Sequence, residues 1–455
     1  MKLLGSKDTA SGRPTILSAP NGGTHGTHTQ HKACLNAVGC NGWWVNDWWS
    51  KVEPNTLLAD INASATTITA AQSISSWGTT GAFWLGAEKI TYTGKSGNSF
   101  TGCTRGAVGS PAAHTVDEPI SDWSHIDAEI ARAEDVSNWT DGLRKVLGLR
   151  IFMGEKAPAW ATAGCPLNDP ASGGFLPTPM PWHQKYLSNN GTGHGGAKGF
   201  MARLAARYNT SGTAWQPLAT IVAVRVSNIG TNAAEPALED DKGSAALIAA
   251  GHPTLTSWHY SDMWDPNGAS LPDAVNFPVY SDALFLAAMK DVTAHAASVW
   301  PNVRLMMSGN NFGFTTSGDA SSTGVYNDFG IWVVAQVFRE QVMFGWTEID
   351  NVRPTGGSAL VSIAKTAVTA ATPTEGTCWD AGFSDEPGFG QADVNATMDE
   401  LLGLGPPPTN DPSYPTVVNC KPIFFDLGPS DDDTASKHTW WAAIDQTLFA
   451  GVVHA

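Results

Sequence analysis

No run of this sequence is apolar for long enough to cross a membrane, no cluster gathers its scattered Lys and Arg, and cysteine is scarce. Each shortage removes a class of protein. A spanning helix needs about 20 consecutive apolar residues. A groove that tracks phosphates needs concentrated cations, whereas 26 Lys and Arg stand against 42 Asp and Glu, a formal net charge of −16. An acidic surface of this kind keeps a protein soluble and repels polyanions. Six cysteines in 455 residues are too few for a disulfide framework, although Cys34 and Cys40 are close enough to pair in an oxidising compartment. The first residues, "MKLLGSKDTASGRP", lack the apolar stretch of a secretory signal, so the expectation is synthesis in the cytosol. No Gly-x-Gly-x-x-Gly follows the first strand of the α/β region, and no cofactor is expected.

What is present is a chain that folds. Apolar residues make up 42% and charged residues 15%, which excludes a disordered polymer. A length of 455 residues exceeds one ordinary core and suits either several domains or a large α/β barrel with an appendage. Tryptophan is abundant, with 19 residues including the doublets Trp43-Trp44, Trp48-Trp49 and Trp440-Trp441. Such rings stack on sugars, and they also fill cores and interfaces.

Texture divides the chain into three. Residues 1–54 carry no clear periodicity and read as an irregular N-terminal arm ordered by packing against a neighbour. Within the arm His25, His28, His31 and Cys34 follow one another at three-residue spacing, a weak candidate for a metal site. Structural zinc sites use two separated ligand pairs instead. Residues 55–120 are short β segments, with "KITYTGKSGNSFTG" reading as a hairpin turning at Lys95-Ser96-Gly97. From 121 to 455 helical periods alternate with continuous apolar strands, among them "KVLGLRIFMG", "LATIVAVRVSN", "VRLMMSGNN", "QVMFGWTEID" and "KPIFFDLG". Asp122 can cap a helix carrying Ile126, Ile130 and Ala133, and Phe200 and Leu204 share a face in "GFMARLAARY". This alternation predicts an α/β fold, a (β/α)8 TIM-like barrel preceded by a small all-β domain.

In such a barrel the chemistry lies at the C-terminal strand ends. Those ends offer Glu235 after "VRVSN" and Glu348 in "FGWTEID" as a carboxylate pair for cleaving a glycosidic bond, one protonating the leaving oxygen and the other attacking. Glu386 in "DEPGFGQAD" is the reserve nucleophile if the strand count shifts by one. Trp160, Trp182, Trp346 and Trp379, with Asn310 and Asn311, are the candidate carbohydrate-binding residues. The consecutive Asp431, Asp432 and Asp433 lack the alternation of a calcium loop and read as a solvated turn.

Several strings carry resemblances. "AEKITYTGKSGNSFTGCTRGAVGSPAAHTVDEPI" resembles a small β module that recurs in bacteriophage tail and tail-tip proteins, with Glu88, Arg105, Gly106 and His114 at matching places and Cys103 where an apolar residue is usual. Arg105 and His114 read as a structural ion pair or turn-fixing group ahead of a binding pair. The region from 120 onward resembles the (β/α)8 glycoside hydrolases, with "LRIFMGEKAPAW" like their second strand and its Ala-Pro-x-Trp loop. The acid of that superfamily follows an Asn after strand four, and here Ile229 follows Asn228. "DWSHIDAEIARA", "LRIFMGEKAPAWA", "FMARLAARY" and "VAVRVSNIGTNAAEP" together are similar to minor tail proteins of phages that infect actinobacteria. The resemblance implies a virion component at the distal tail, partnered by other tail proteins and by host cell-envelope glycan. Its alternative is an active retaining glycosidase of the tail tip. No nucleic-acid partner and no membrane span are expected.

Overall fold

The computed structural model describes residues 15–18, 42–140, 142–165, 179, 182–188, 194–208, 221–226, 282–301, 303–308, 328–329, 332–333, 335–338, 341–349, 378–383 and 424–427. The architecture is mixed α/β, one parallel sheet with two antiparallel sheets. The parallel strands are β1 (Thr15–Ser18), β2 (Gly42–Trp48), β11 (Val146–Phe152), β12 (Ile221–Arg225), β13 (Arg304–Ser308), β14 (Val342–Ile349), β15 (Cys378–Phe383) and β16 (Phe424–Leu427). Their hydrogen-bonding order is cyclic, β1-β16-β15-β14-β13-β12-β11-β2, with β1 closing onto β2. Between β2 and β11 the chain runs through the eight short strands of a β module: β3 (Asn55–Thr56), β4 (Thr67–Thr69), β5 (Gly81–Leu85), β6 (Glu88–Tyr92), β7 (Gly94–Ser96), β8 (Ser99–Thr101), β9 (Thr104–Val108) and β10 (Pro119–Ser121).

The irregular arm expected over 1–54 is therefore corrected. Residues 15–18 and 42–48 are the first two strands of the parallel sheet, and the β module is an insertion after the second, not a preceding domain. β2 escaped recognition because a strand covered on both faces shows no alternation, and its burial is continuous from Gly42 to Asp47. Trp43 and Val45 pack outward with Leu147, Leu149 and Ile151 of β11 in the main core. Trp44, Asn46 and Trp48 take the opposite face, each in register with Gly148, Arg150 and Phe152. Gly148 is required there, since a Cβ would lie 2.3 Å from the Trp44 ring.

Among the described residues three longer helices cover the outer face: α1 (Ser124–Glu134), α2 (Ala197–Tyr208) and α3 (Asp282–Val299). α1 buries Ile126, Ile130 and Ala133, one stripe at helical spacing, and the Asp122 carboxylate accepts from the Ser124 N–H at its start. α2 buries Phe200 and Leu204, and Phe200 stacks on the fully buried Trp49 at 5.0 Å between centroids. Of the expected helix "GIWVVAQVFRE" only scattered residues are described, and "HTWWAAIDQTLF" lies outside the described residues.

The insertion has its own core of Leu57, Ile68, Phe83, Leu85, Ile90, Tyr92 and Phe100. Its two sheets run β3-β10-β5-β6-β9 and β4-β8-β7. The hairpin within "KITYTGKSGNSFTG" joins β7 to β8 through Gly97 and Asn98, with Ser96 opposite Ser99; Lys95 belongs to a strand, not the turn. Gly97 holds φ at +56°, the left-handed conformation a two-residue hairpin turn demands. Cys103 is buried in this core and serves as the small apolar residue its place calls for, burial pushing its thiol up to about 11.

Candidate functional site

The C-terminal ends of β2 and β11 bring together an aromatic pair and three cations. Trp48 and Phe152 are register neighbours. Lys51 Nζ lies 4.3 Å and Lys156 Nζ 4.8 Å from the Trp48 ring centroid, and the Arg150 guanidinium lies 5.0 Å from that of Phe152. Trp48 is half-buried and Lys51 exposed, so the group is reachable from solvent. The turn carrying Lys156 is held by the Gly154 N–H donating to the hydroxyl of the fully buried Tyr186 at 2.9 Å. Lys51 and Lys156 hold their ammonium groups over the Trp48 ring, an aromatic-backed cationic surface that can meet the hydroxyls or acidic groups of a sugar.

Behind it stands a second polar group on the outer face. Asp47 accepts from the Trp48 N–H at 2.8 Å and meets His125 Nδ1 at 2.9 Å, tying the first turn of α1 to β2. The Asp47 bond raises the His125 pKa against the opposing effect of burial. Glu129 accepts from Trp43 Nε1 at 2.8 Å and from Arg132 at 2.6 Å.

The junction of insertion and parallel sheet is clamped by Glu53, which is completely buried. Its carboxylate accepts from Arg203 Nε at 2.6 Å and Nη2 at 2.8 Å, from Trp49 Nε1 at 2.9 Å and from Ser121 Oγ at 3.5 Å. Its carbonyl accepts from Trp160 Nε1 at 2.9 Å. Trp160, expected on a sugar, is thus half-buried with its N–H engaged in this seam and its ring edge-on to Trp49 at 5.8 Å. Trp182 is 6% exposed and belongs to the main core, which corrects its reading as a stacking platform.

Glu88, Arg105 and His114 form a buried structural network, the role expected of Arg105 and His114. Arg105 donates Nε to one Glu88 oxygen at 2.8 Å and Nη2 to the other at 2.7 Å, joined by the N–H groups of Gly106 and Ala112. His114 Nε2 meets Glu88 at 2.9 Å and its Nδ1 meets Glu118 at 2.9 Å. Every polar group of the trio turns inward, which suits holding the module's long β9–β10 connection and leaves no donor aimed at a ligand.

Glu348 is the next-to-last residue of β14, and Trp346 and Trp379 lie in β14 and β15. In chain order β14 is the sixth strand of the ring and β15 the seventh, so Glu386, three residues past Phe383, follows the seventh strand, while β11 is the third strand and not the second. Glu235, Glu386, Asn310, Asn311, His25, His28, His31, Cys34 and Cys40 lie outside the described residues. Among the described residues no group of His, Cys, Asp and Glu could hold a metal ion, and no helix is long and apolar enough to cross a membrane. Trp48 was signalled in the sequence by its doublet. Lys51, Glu53, Lys156 and the Asp47–His125 pair were not, because their partners are brought in by folding. No protein-family model matches the chain, and no curated protein matches it.

Proposed function

We propose that the chain is a minor tail protein of a phage, a component of the distal tail that contacts cell-envelope glycan through the mouth of a glycosidase-like (β/α)8 barrel. The observation that carries the glycan contact is the Trp48–Phe152 pair with the Lys51 and Lys156 ammonium groups held over the Trp48 ring at the C-terminal strand ends. The cyclic order of eight parallel strands supports the barrel, and the resemblance of the β module and of "VRVSNIGTNAAEP" to tail proteins supports the place in the virion. Fold alone confers no activity, so the contact and the chemistry are tested separately. Antibody against the chain is expected to label the tail tip in electron micrographs of the phage. Purified protein is expected to bind isolated host-envelope polysaccharide, with Trp48→Ala weakening it about tenfold. Labelling confined to infected-cell lysate, or binding indifferent to Trp48, would remove the reading.

The retaining-hydrolase alternative is favoured by one observation, the strand count, which sets Glu386 after the seventh strand. It is expected that Glu386→Gln, rather than Glu348→Gln, abolishes release of reducing sugar from host cell wall, with Glu235→Gln equally damaging. Wild-type protein that releases no sugar disposes of the alternative and leaves the binding function standing.

A further inference from the structure

A cleft of about 750 Å³ opens on the seam between the insertion and the parallel sheet, outside the strand ring. Its walls come from the segment after β2, the loop before β5, the β5–β6 strands and the first turn of α1. Trp77 and Tyr92 form its aromatic side. Trp77 is half-buried, edge-on to Phe83 at 6.3 Å and to Phe100 at 5.3 Å, and the Tyr92 hydroxyl donates to the Gly78 carbonyl at 3.1 Å. The loop carrying Trp77 is fixed from below by Lys95 Nζ, which donates to the carbonyls of Ile74 and Trp77. The volume falls within the range of clefts that enclose small ligands, and the clamp at Glu53 holds its two walls at a set separation.

The charges lining this cleft are unequally engaged. Asp47 is bonded to His125 and to the Trp48 N–H, Asp122 accepts from Ser124, and Asp127 is paired with Arg207 at 2.5 Å and with the Tyr208 hydroxyl at 2.8 Å. The two ammonium groups are placed differently. Among the described residues neither Lys51 nor Lys89 forms an ion pair; Lys51 lies against Trp48, and Lys89 Nζ is 5.8 Å from the Trp84 centroid. Asp47 and Asp127 are met by His125 and Arg207, which leaves the two ammonium groups of Lys51 and Lys89 against the single charge of Asp122 and able to meet an anion. Lys51 also belongs to the mouth described above, so one chain of sugar units could touch both places.

We infer that the seam cleft is a second binding site, for a saccharide unit bearing a carboxylate, with Trp77 as the stacking side and Lys51 and Lys89 as the anion contacts. The class of ligand rests on the glycan-contacting reading; the site itself rests on the cleft and its charges. The test is calorimetric titration of the full chain with tri-galacturonate and with maltotriose, in the Lys156→Met background, which weakens the mouth and leaves the Trp48 ring under Lys51 in place. Tri-galacturonate is expected to bind there and maltotriose to bind about fivefold more weakly. Lys89→Met is expected to remove about fivefold of the tri-galacturonate affinity, and Ser76→Trp, an exposed position that fills the cleft, to abolish it. Equal binding of the two sugars, or tri-galacturonate binding untouched by both substitutions, overturns the cleft site. So does loss of all tri-galacturonate binding with Lys156→Met alone, which would assign the acidic sugar to the mouth. If wild-type protein binds envelope polysaccharide but not tri-galacturonate, the second site fails while the proposed function survives.

Discussion

Replacing Glu53 with alanine is expected to lower the free energy of unfolding by about 3–5 kcal/mol, measured by urea titration with tryptophan fluorescence. The substitution strands the Arg203 guanidinium, whose side chain is only 22% exposed, and removes the acceptor of the Trp49 indole N–H. Leaving one member of a buried pair without its partner costs far more than the pair contributes when intact, because the remaining charge has lost water and gained nothing. Arg203→Met is expected to cost at least as much, since the group then left behind is a carboxylate with no exposure at all. Glu53→Gln retains the shape and an acceptor for Trp49 and is expected to fall between these variants and wild type. A loss under about 1 kcal/mol for Glu53→Ala, the size of an exposed ion pair, would mean that the seam is held by apolar packing around Trp49 and not by the clamp.

Acid is expected to unfold the insertion before the rest of the chain. Burial alone would push Glu88 up, but the hydrogen bonds from Arg105, His114, Ala112 and Gly106 outweigh it and hold its carboxyl at about 2 against an ordinary 4.5. A depressed carboxylate contributes stability that is complete above the ordinary value and disappears as pH falls from 4.5 toward 2, here about 3 kcal/mol in total. His114 has the opposite sign. Burial lowers its pKa, the bonds to Glu118 and Glu88 raise it further than burial lowers it, and its contribution is complete below 6.5 and is lost as pH rises through the raised value. The module is therefore expected to be most resistant between pH 4.5 and 6.5, read as the thermal midpoint of the full chain against pH. Glu88→Gln should flatten the acid limb. An acid limb unchanged by that substitution would assign the acid sensitivity to other carboxylates.

Legibility in the sequence followed the local signal. α1 and α2 were readable because their apolar stripes repeat at helical spacing, and β11 through β13 because each is a short continuous apolar run. β2 was not, since tryptophan on both of its faces gives "GWWVNDW" no period, and β1 and β15 were not, being four and six residues long with little apolar patterning. Missing those strands displaced the strand count. Arg105 and His114 could be read as structural because they stand in one short string, although the carboxylate that joins them, Glu88, was not read as their partner. Glu53 and Arg203 are 150 residues apart, and Asp47 and His125 are 78 apart; nothing in either neighbourhood announces the other.

The insertion leaves and rejoins the parallel sheet at almost one point. Asn55 pairs with Ile120, and the Asp122 N–H donates to the Val52 carbonyl at 2.7 Å. Closing a long flexible loop has an entropic cost that grows with its length. Once the module has collapsed on its own core, however, the chain between Val52 and Asp122 behaves as a tight turn. The long excursion is hidden from the diffusive search that brings β2 and β11 together, and the effective separation of those two strands along the chain becomes that of near neighbours. A separately folded cassette thus shortens the path to the surrounding sheet, although it lengthens the polypeptide.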